Sequence, residues 1–380
     1  MRERVPWSVR APVRRARNAV ALRRALSRQR SRWEEIAATQ PRRAGLAVSY
    51  GVERMPSPDE IVYGGHVKFS LLNEALANAP RDFNVLYLGS SALPIEAPRL
   101  VELARRRGAA FAWNQNGVAY YGWYGQGWEL VNEPRAKLLH EADHVFFQSA
   151  FCKLSAERFY GSRKGPSEVL HNPVDTRRFV PAERRSRPLT LLLGGNQYQR
   201  YRLQAALDAL VHVRDERRDA RLVIGGGLSF ARDALGETLE LIHRLGLADA
   251  VELVGPYTQA DAPALMQRAD ILLHTKYNDP CPTVVLEAMA CGLPIVHSAS
   301  GGTPELVGDA GISIPAPLDW ERDHPPAADA LASAVLAVAD RIRDFSAAAR
   351  ERSLRFDVRP WIDRHHRVFT DLIRLRPPVS

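Results

Sequence analysis

The chain is poor in cysteine and lysine and has no long hydrophobic run, and each shortage narrows what it can be. Three cysteines in 380 residues (Cys152, Cys281, Cys291) cannot build a disulfide framework, and an odd count fits a reducing compartment. Leu331–Ala339, one of the longest mostly apolar stretches, falls well short of the ~18 residues that span a bilayer. The N-terminus lacks the apolar core of a signal peptide. The expected location is cytoplasmic, at most peripheral on the inner face of the membrane. With 46% apolar and 25% charged residues the chain is ordinary globular protein, which excludes wholesale disorder, collagen and coiled coil. Its length suits two or three domains, each with its own core.

The net charge of +9 is unevenly placed. Residues 1–43 hold thirteen Arg, no Lys and three Glu, a net of +10, so the rest of the chain is close to neutral. Val13–Ser27 (VRRARNAVALRRALS) can form a short basic helix. Three readings of this arm stay open: docking on an anionic inner-membrane surface, counterion release on nucleic acid, and a solvated terminus with no partner. Nucleic acid is the least favoured of the two partners, because the body of the chain carries no further basic excess.

Apolar strand-like runs alternate with helical patterns. Strands are predicted at Ala44–Tyr50, Asn84–Leu88, Ala109–Trp113 and Val145–Gln148, with helices at His66–Asn78, Leu100–Arg107 and Lys137–Ala142. Pro181–Pro188 reads as a linker, and the alternation restarts at Leu189. The organisation expected is an arm (1–43), a Rossmann-like domain (44–180), a linker (181–188), a second Rossmann-like domain (189–356) and a C-terminal helix (357–380) crossing back to the first. The fold class is α/β, with two doubly wound domains facing across a cleft, and ligands in such sheets bind at the carboxyl ends of the strands.

Some motif matches are incidental. His140-Glu141-Ala142-Asp143-His144 has the zinc-protease spacing, but that chemistry needs both histidines on one helical face. Here the second runs into Val145-Phe146-Phe147, a strand pattern. Gly225-Gly226-Gly227 starts a dinucleotide fingerprint that Phe230 breaks, and there is no Walker A sequence. The informative segment is His274–Glu305 (HTKYNDPCPTVVLEAMACGLPIVHSASGGTPE). Asp279 lies in its loop and Glu287 about one turn into a helix starting near Thr283, so both can face one cleft. The free amides of that helix N-terminus can seat a phosphate. A phosphate seat flanked by two carboxylates that can hold sugar hydroxyls suits a sugar nucleotide; a capped core helix is the plainer alternative.

This segment resembles the donor-site signature of the retaining GT-B glycosyltransferases of family 4, also called group 1. The carrying residues are Asp279, then after seven intervening residues Glu287, Ala288–Val296 (AMACGLPIV) and Gly301-Gly302-Thr303-Pro304-Glu305. Val169–Phe179 (VLHNPVDTRRF), Val251–Pro256 and Tyr63-Gly64-Gly65 are similar to other marks of the family. The resemblance implies that a nucleotide diphosphate sugar binds the second domain and a hexose moves to a glycan or lipid-linked acceptor, with retention, in surface polysaccharide assembly. It implies Glu287 on the ribose and Asp279 on the transferred sugar, the two residues assigned to catalysis. It further implies amides of Cys281, Thr283 and Val284 on the diphosphate, and Gly64 and Gly65 closing from the first domain. Neither a cofactor nor a metal is implied.

The chain departs from the pattern in places. Asp279 is one methylene shorter than the family's Glu, and Pro280-Cys281-Pro282 replaces Gly-Phe-Gly, which removes two amide donors. The usual phosphate-binding cations are out of register, leaving Arg200, Arg202 and Lys276 as candidates beside Asn196. No histidine follows the Ala109–Trp113 strand, where Asn114-Gln115-Asn116 stands, and Asn cannot act as a base. These departures keep open a catalytically degenerate sugar-nucleotide-binding scaffold, or another GT-B enzyme such as an epimerase. Residues 111–128 hold seven of the chain's thirty aromatics among amides and glycines. Trp113, Asn114, Asn116, Tyr120 and Trp123 are therefore the acceptor-site candidates, aromatic faces suiting sugar CH faces.

Overall fold

A computed structural model describes residues 7–42, 44–57, 59–62, 64–183 and 188–375. Tyr63 and the centre of the expected linker (184–187) lie outside the described residues. Two parallel sheets carry the fold. The first has β1 (Val48–Ser49), β2 (Val85–Gly89), β3 (Ala110–Gln115), β4 (His144–Phe147) and β5 (Ser167–Val169), side by side in chain order. The second has β6 (Thr190–Leu193), β7 (Arg221–Gly225), β8 (Val251–Gly255), β9 (Ile271–His274), β10 (Ile295–Ser298) and β11 (Gly311–Ile314). Its order is β11-β10-β9-β6-β7-β8, so the winding reverses between β6 and β9. Every residue of β2, β3, β6 and β9 is buried. Helices on both faces demand this, which is why these strands read as continuous apolar runs rather than alternating ones.

The crevice outside the carboxyl ends of strands at a winding reversal is where open α/β sheets bind ligands. Here it is flanked by Gly194-Gly195-Asn196 after β6 and by the loop after His274 of β9. That loop ends where Pro282 caps the helix Thr283–Ala290, whose last six residues are all buried.

The two domains are tied at several points. The C-terminal helix Val358–Arg374 lies on the first sheet, with Trp361, Val368 and Phe369 packed among Tyr87, Phe146 and Val85. Glu305 of the second domain caps the helix Ala150–Tyr160 of the first, accepting from the amides of Ala150 (2.7 Å) and Phe151 (2.9 Å). A segment after β11 crosses back as well. Its Trp320 stacks on Phe151 at 5.5 Å and meets the edges of Tyr120 and Phe159, inside the first domain's core. The amide of Gly122 donates to the Trp320 carbonyl at 2.8 Å, and a Cβ on Gly122 would stand 2.6 Å from the Arg322 nitrogen. Gly122→Ala is therefore expected to cost about 1–3 kcal/mol, as overpacking does. Thermal unfolding checks it, and a loss below about 0.5 kcal/mol would mean that this strap yields freely.

The basic N-terminal stretch is helical, at Trp7–Arg28 and Arg30–Ala38. The second helix is no detached arm: Trp33 and Ile36 are buried in the core of the first domain. The first helix leaves Val13 and Val20 exposed, while Arg14 donates to the Tyr124 hydroxyl and Arg15 pairs with Glu133 at 3.6 Å. Among the described residues no helix is long and apolar enough to cross a membrane. His140 lies in the last turn of the helix Trp128–Glu141, whereas His144 opens β4, so the zinc-protease spacing does not put both on one helical face. No group of three or more metal-ligating side chains occurs among the described residues.

Candidate functional site

A cavity of about 620 Å³ lies between the domains, over the β6–β9 reversal. The second domain supplies the lining acids Asp279 and Glu287 and the cations Arg202 and Lys276, and the first domain supplies Lys68 and Arg135. Asp279 is almost fully buried, with Lys276 Nζ and His274 Nε2 each 3.2 Å from its Oδ2. Burial alone would raise its pKa, but Lys276 and His274 outweigh that and hold the carboxyl below the usual range, so it is ionised at neutral pH. The loop is held in an uncommon shape: Asn278 has φ of 49°, its amide donating to Ser300 Oγ and its side chain to the Asp319 carbonyl. A non-glycine residue in the left-handed region persists only where its surroundings hold it there, as these hydrogen bonds do. Gly301 and Gly302 back the loop so closely that only glycine fits there.

Glu287 is buried on the same wall with Gln259 Nε2 at 3.4 Å. Burial pushes its carboxyl up to about 7, against weaker pulls from Gln259 and Arg178. Thr283, Val284 and Cys281 line the cavity at the helix N-terminus, where the first amides have no intrahelical partners. Arg202 and Lys276 both approach the face of Tyr198, at 5.7 Å and 5.3 Å. Arg202 also donates to the Asn196 carbonyl, and the Asn196 side chain accepts from the Gly227 amide.

Most of the residues singled out in the sequence come together on this wall or the one facing it: Gly65, Asn116, Tyr120, Trp123, Asn196, Arg202, Lys276, Asp279, Cys281, Thr283, Val284 and Glu287. Three do not. Arg200 pairs with Glu237 and lies over Phe230, because two positions along a helix turn a side chain by about 200° away from Arg202's face. Gly64 opens the helix Gly64–Asn73. Trp113 is wholly buried in the first core, its Nε1 donating to Gln115. Asn114 lies behind the wall, accepting from Lys68 Nζ and Gln148 Nε2 and donating to the Tyr87 hydroxyl. Both belong to β3, which is buried on both faces, so aromatic and amide content there reported core and not surface.

Other wall residues escaped the sequence reading. Lys68 follows the glycine pair by three residues, and Arg135 donates to the Ser90 and Val131 carbonyls from the helix Trp128–Glu141. His274 stood at the edge of the quoted segment without an assigned role. Trp320 comes from a stretch that gave no signal. One arginine among forty-seven could not be singled out.

Two parallel α/β domains with a cleft at a winding reversal define a GT-B protein, and solved structures agree. The chain superposes on HepE from Anabaena in complex with UDP with a TM-score of 0.62 at 18% identity, covering 80% of this chain and 82% of that one. Sucrose-phosphate synthase from Thermosynechococcus elongatus gives 0.63 at 18% identity, covering 80% and 76%. Residues 187–340 match the family described as Glycosyl transferases group 1. It is 32% identical over 223 residues to a D-inositol 3-phosphate glycosyltransferase of Streptomyces bingchenggensis, covering 52% of this chain and 49% of the relative. A second protein of that name, from Catenulispora acidiphila, is 28% identical over 247 residues, covering 59% and 56%. The chain thus spans about half the length of the curated relatives it matches.

Proposed function

We propose that this protein transfers a hexose from a nucleoside diphosphate sugar to an acceptor hydroxyl with retention at the anomeric carbon. The observation that carries the reading is the arrangement around Thr283–Ala290: a helix N-terminus with Asp279 and Lys276 before it and Glu287 within it, all on one cavity wall. The amides of the helix N-terminus, with Lys276 and Arg202, hold the diphosphate and stabilise charge on it as it leaves. Glu287 takes the ribose hydroxyls and Asp279 the hydroxyls of the transferred sugar. This scheme uses fixed cations and needs no divalent metal. Retention is favoured because Asp279 and Glu287 are the only acids among the described lining residues, and both lie on the donor side. With no carboxylate opposite to act as base, the leaving phosphate takes the acceptor proton.

Tyr120 and Trp123 with Asn116 form the acceptor wall, suited to a sugar ring. Exposed arginines and Val13 and Val20 on the first helix, beside the aromatic segment Tyr121–Tyr124, support docking at an anionic membrane surface and a lipid-linked glycan acceptor. A second acceptor reading, a phosphorylated polyol, is favoured by Arg135, which reaches the cavity with no carboxylate in ion-pair distance among the described residues. It is also the substrate in the names of the relatives.

The test is slow hydrolysis and binding of UDP-, GDP-, ADP- and dTDP-sugars, with UDP the first to try because HepE was solved with it. One donor should be turned over selectively. Its affinity should rise from pH 6 to pH 8, because ribose hydroxyls favour the ionised Glu287 and binding therefore releases a proton near pH 7. Glu287→Gln should weaken binding and flatten that profile. Failure of every donor to bind would refute the reading.

A further inference from the structure

We propose that Lys68 is the first domain's anchor for a phosphate oxygen of the bound substrate, a positive charge whose counter-charge arrives with the ligand. The inference rests on the donor-site reading above. Lys68 sits in the first turns of the helix Gly64–Asn73, is 2% exposed, and lines the cavity. Its ammonium has three donors. One reaches Asn114 Oδ1 at 2.6 Å, a neutral oxygen already shared with Gln148, and the face of the Phe69 ring lies 5.8 Å away. No carboxylate lies within ion-pair distance among the described residues. Lys276, in the same cavity, has Asp279 at 3.2 Å.

An unpaired buried ammonium is costly, and the groups that face Lys68 do not offset it. His66 on its own helix is pushed by burial toward the neutral form. Cys152, from the helix Ala150–Tyr160, is pushed by burial up to about 12, and Cys281 of the donor loop well above the usual thiol range, so both stay protonated. His365 of the C-terminal helix is driven down to about 3 by burial and is neutral, its Nε2 sharing a hydrogen bond with the Tyr87 hydroxyl. Burial accordingly lowers Lys68 to about 8, which still leaves it charged at pH 7.

The position of Lys68 points to phosphate. Gly65 lies three residues before it on the same wall. From Asn114 a buried chain runs through Gln148 and Asn172 to the Cys281 carbonyl, with links of 2.6, 2.9 and 2.9 Å, and ends beside the helix N-terminus that seats the diphosphate. The phosphate can come from the donor's diphosphate or from a phosphorylated acceptor, and the arms of the test separate the two.

The experiment compares wild type with Lys68→Met, of similar length and no charge. Binding of UDP (or of GDP or ADP, if wild type prefers one) and of D-inositol 3-phosphate in the presence of that nucleotide is measured by calorimetry, with the free nucleoside as a control. A loss of about tenfold or more for the nucleoside diphosphate, with the nucleoside unaffected, places its phosphate on Lys68. A loss confined to D-inositol 3-phosphate places the acceptor phosphate there. Calorimetry near pH 8.5 in two buffers of different ionisation heat should show proton uptake on ligand binding to wild type and none to Lys68→Met. Without ligand, Lys68→Met should melt higher than wild type at pH 7, since folding holds the lysine below its free value of about 10.4 and so disfavours the charged form. That gap should close as the pH rises above about 9. Unchanged binding of both phosphates, or a lower melting temperature without weakened binding, would overturn the assignment. A wild type that binds none of these ligands would instead bring down the donor-site reading itself.

Discussion

Asp279→Ala is expected to lower donor turnover by about 10²–10³-fold, the range seen when one preorganised stabilising contact is removed. A single carboxylate holds the buried His274 and the half-buried Lys276 and, in the proposed scheme, meets the transferred sugar. Its removal would delete that hydroxyl contact and leave the half-buried Lys276 ammonium without its carboxylate, beside the neutral Tyr198 ring. Because Lys276 and His274 keep the carboxyl below the usual carboxylate range despite burial, the wild-type contribution should be constant from about pH 5 to pH 9. Asp279→Asn should be intermediate, keeping an acceptor oxygen without the charge. Turnover of the sugar donor and affinity for the sugar-free nucleoside diphosphate need to be measured together. The expected result is a large loss in the first and less than about tenfold in the second. Equal losses in both would show that Asp279 acts on the diphosphate through Lys276.

Gly302→Ala is expected to be nearly as damaging, although Gly302 touches no substrate in this scheme. A Cβ there would stand 2.0 Å from the Pro280 carbonyl oxygen and 2.7 Å from Ser149 Oγ. Those two atoms are themselves joined by a 2.6 Å hydrogen bond across the domain boundary, and the Gly302 amide donates to the Asp279 carbonyl at 2.8 Å. One methyl group therefore pushes the donor loop, the second domain and the helix Ala150–Tyr160 apart together. Overpacking of this kind costs about 1–3 kcal/mol, and a shift of the loop by about 1 Å is worth roughly 10²-fold in rate. Thermal unfolding and kcat/KM for the donor check the two effects. Near wild-type values in both would mean that the loop has room to retreat and that the glycine is not required for closeness.

The sequence by itself determined the two-domain α/β frame and the stretch from His274 to Glu305. Both depend on local signals: apolar strands of buried parallel sheets, helical spacing between them, and a loop, helix and glycine turn whose chemistry lies within about thirty consecutive residues. Asp279, Lys276, Thr283 and Glu287 meet on one wall because they sit on one loop–helix unit, so linear spacing was enough. What lay between distant segments was decided only by tertiary structure. Trp113 and Tyr120 are equally aromatic, yet one is core and the other is cavity wall, because β3 is covered on both faces while the turn after it opens onto the cleft. The basic N-terminal stretch reads as an arm by charge, yet Trp33 and Ile36 anchor it in a core assembled from residues far along the chain. Trp320 leaves one domain to pack in the other, and Lys68 is buried with no carboxylate in ion-pair distance among the described residues. Neither fact has a local signature, since burial and the lack of a counter-charge are properties of neighbours that only folding brings together.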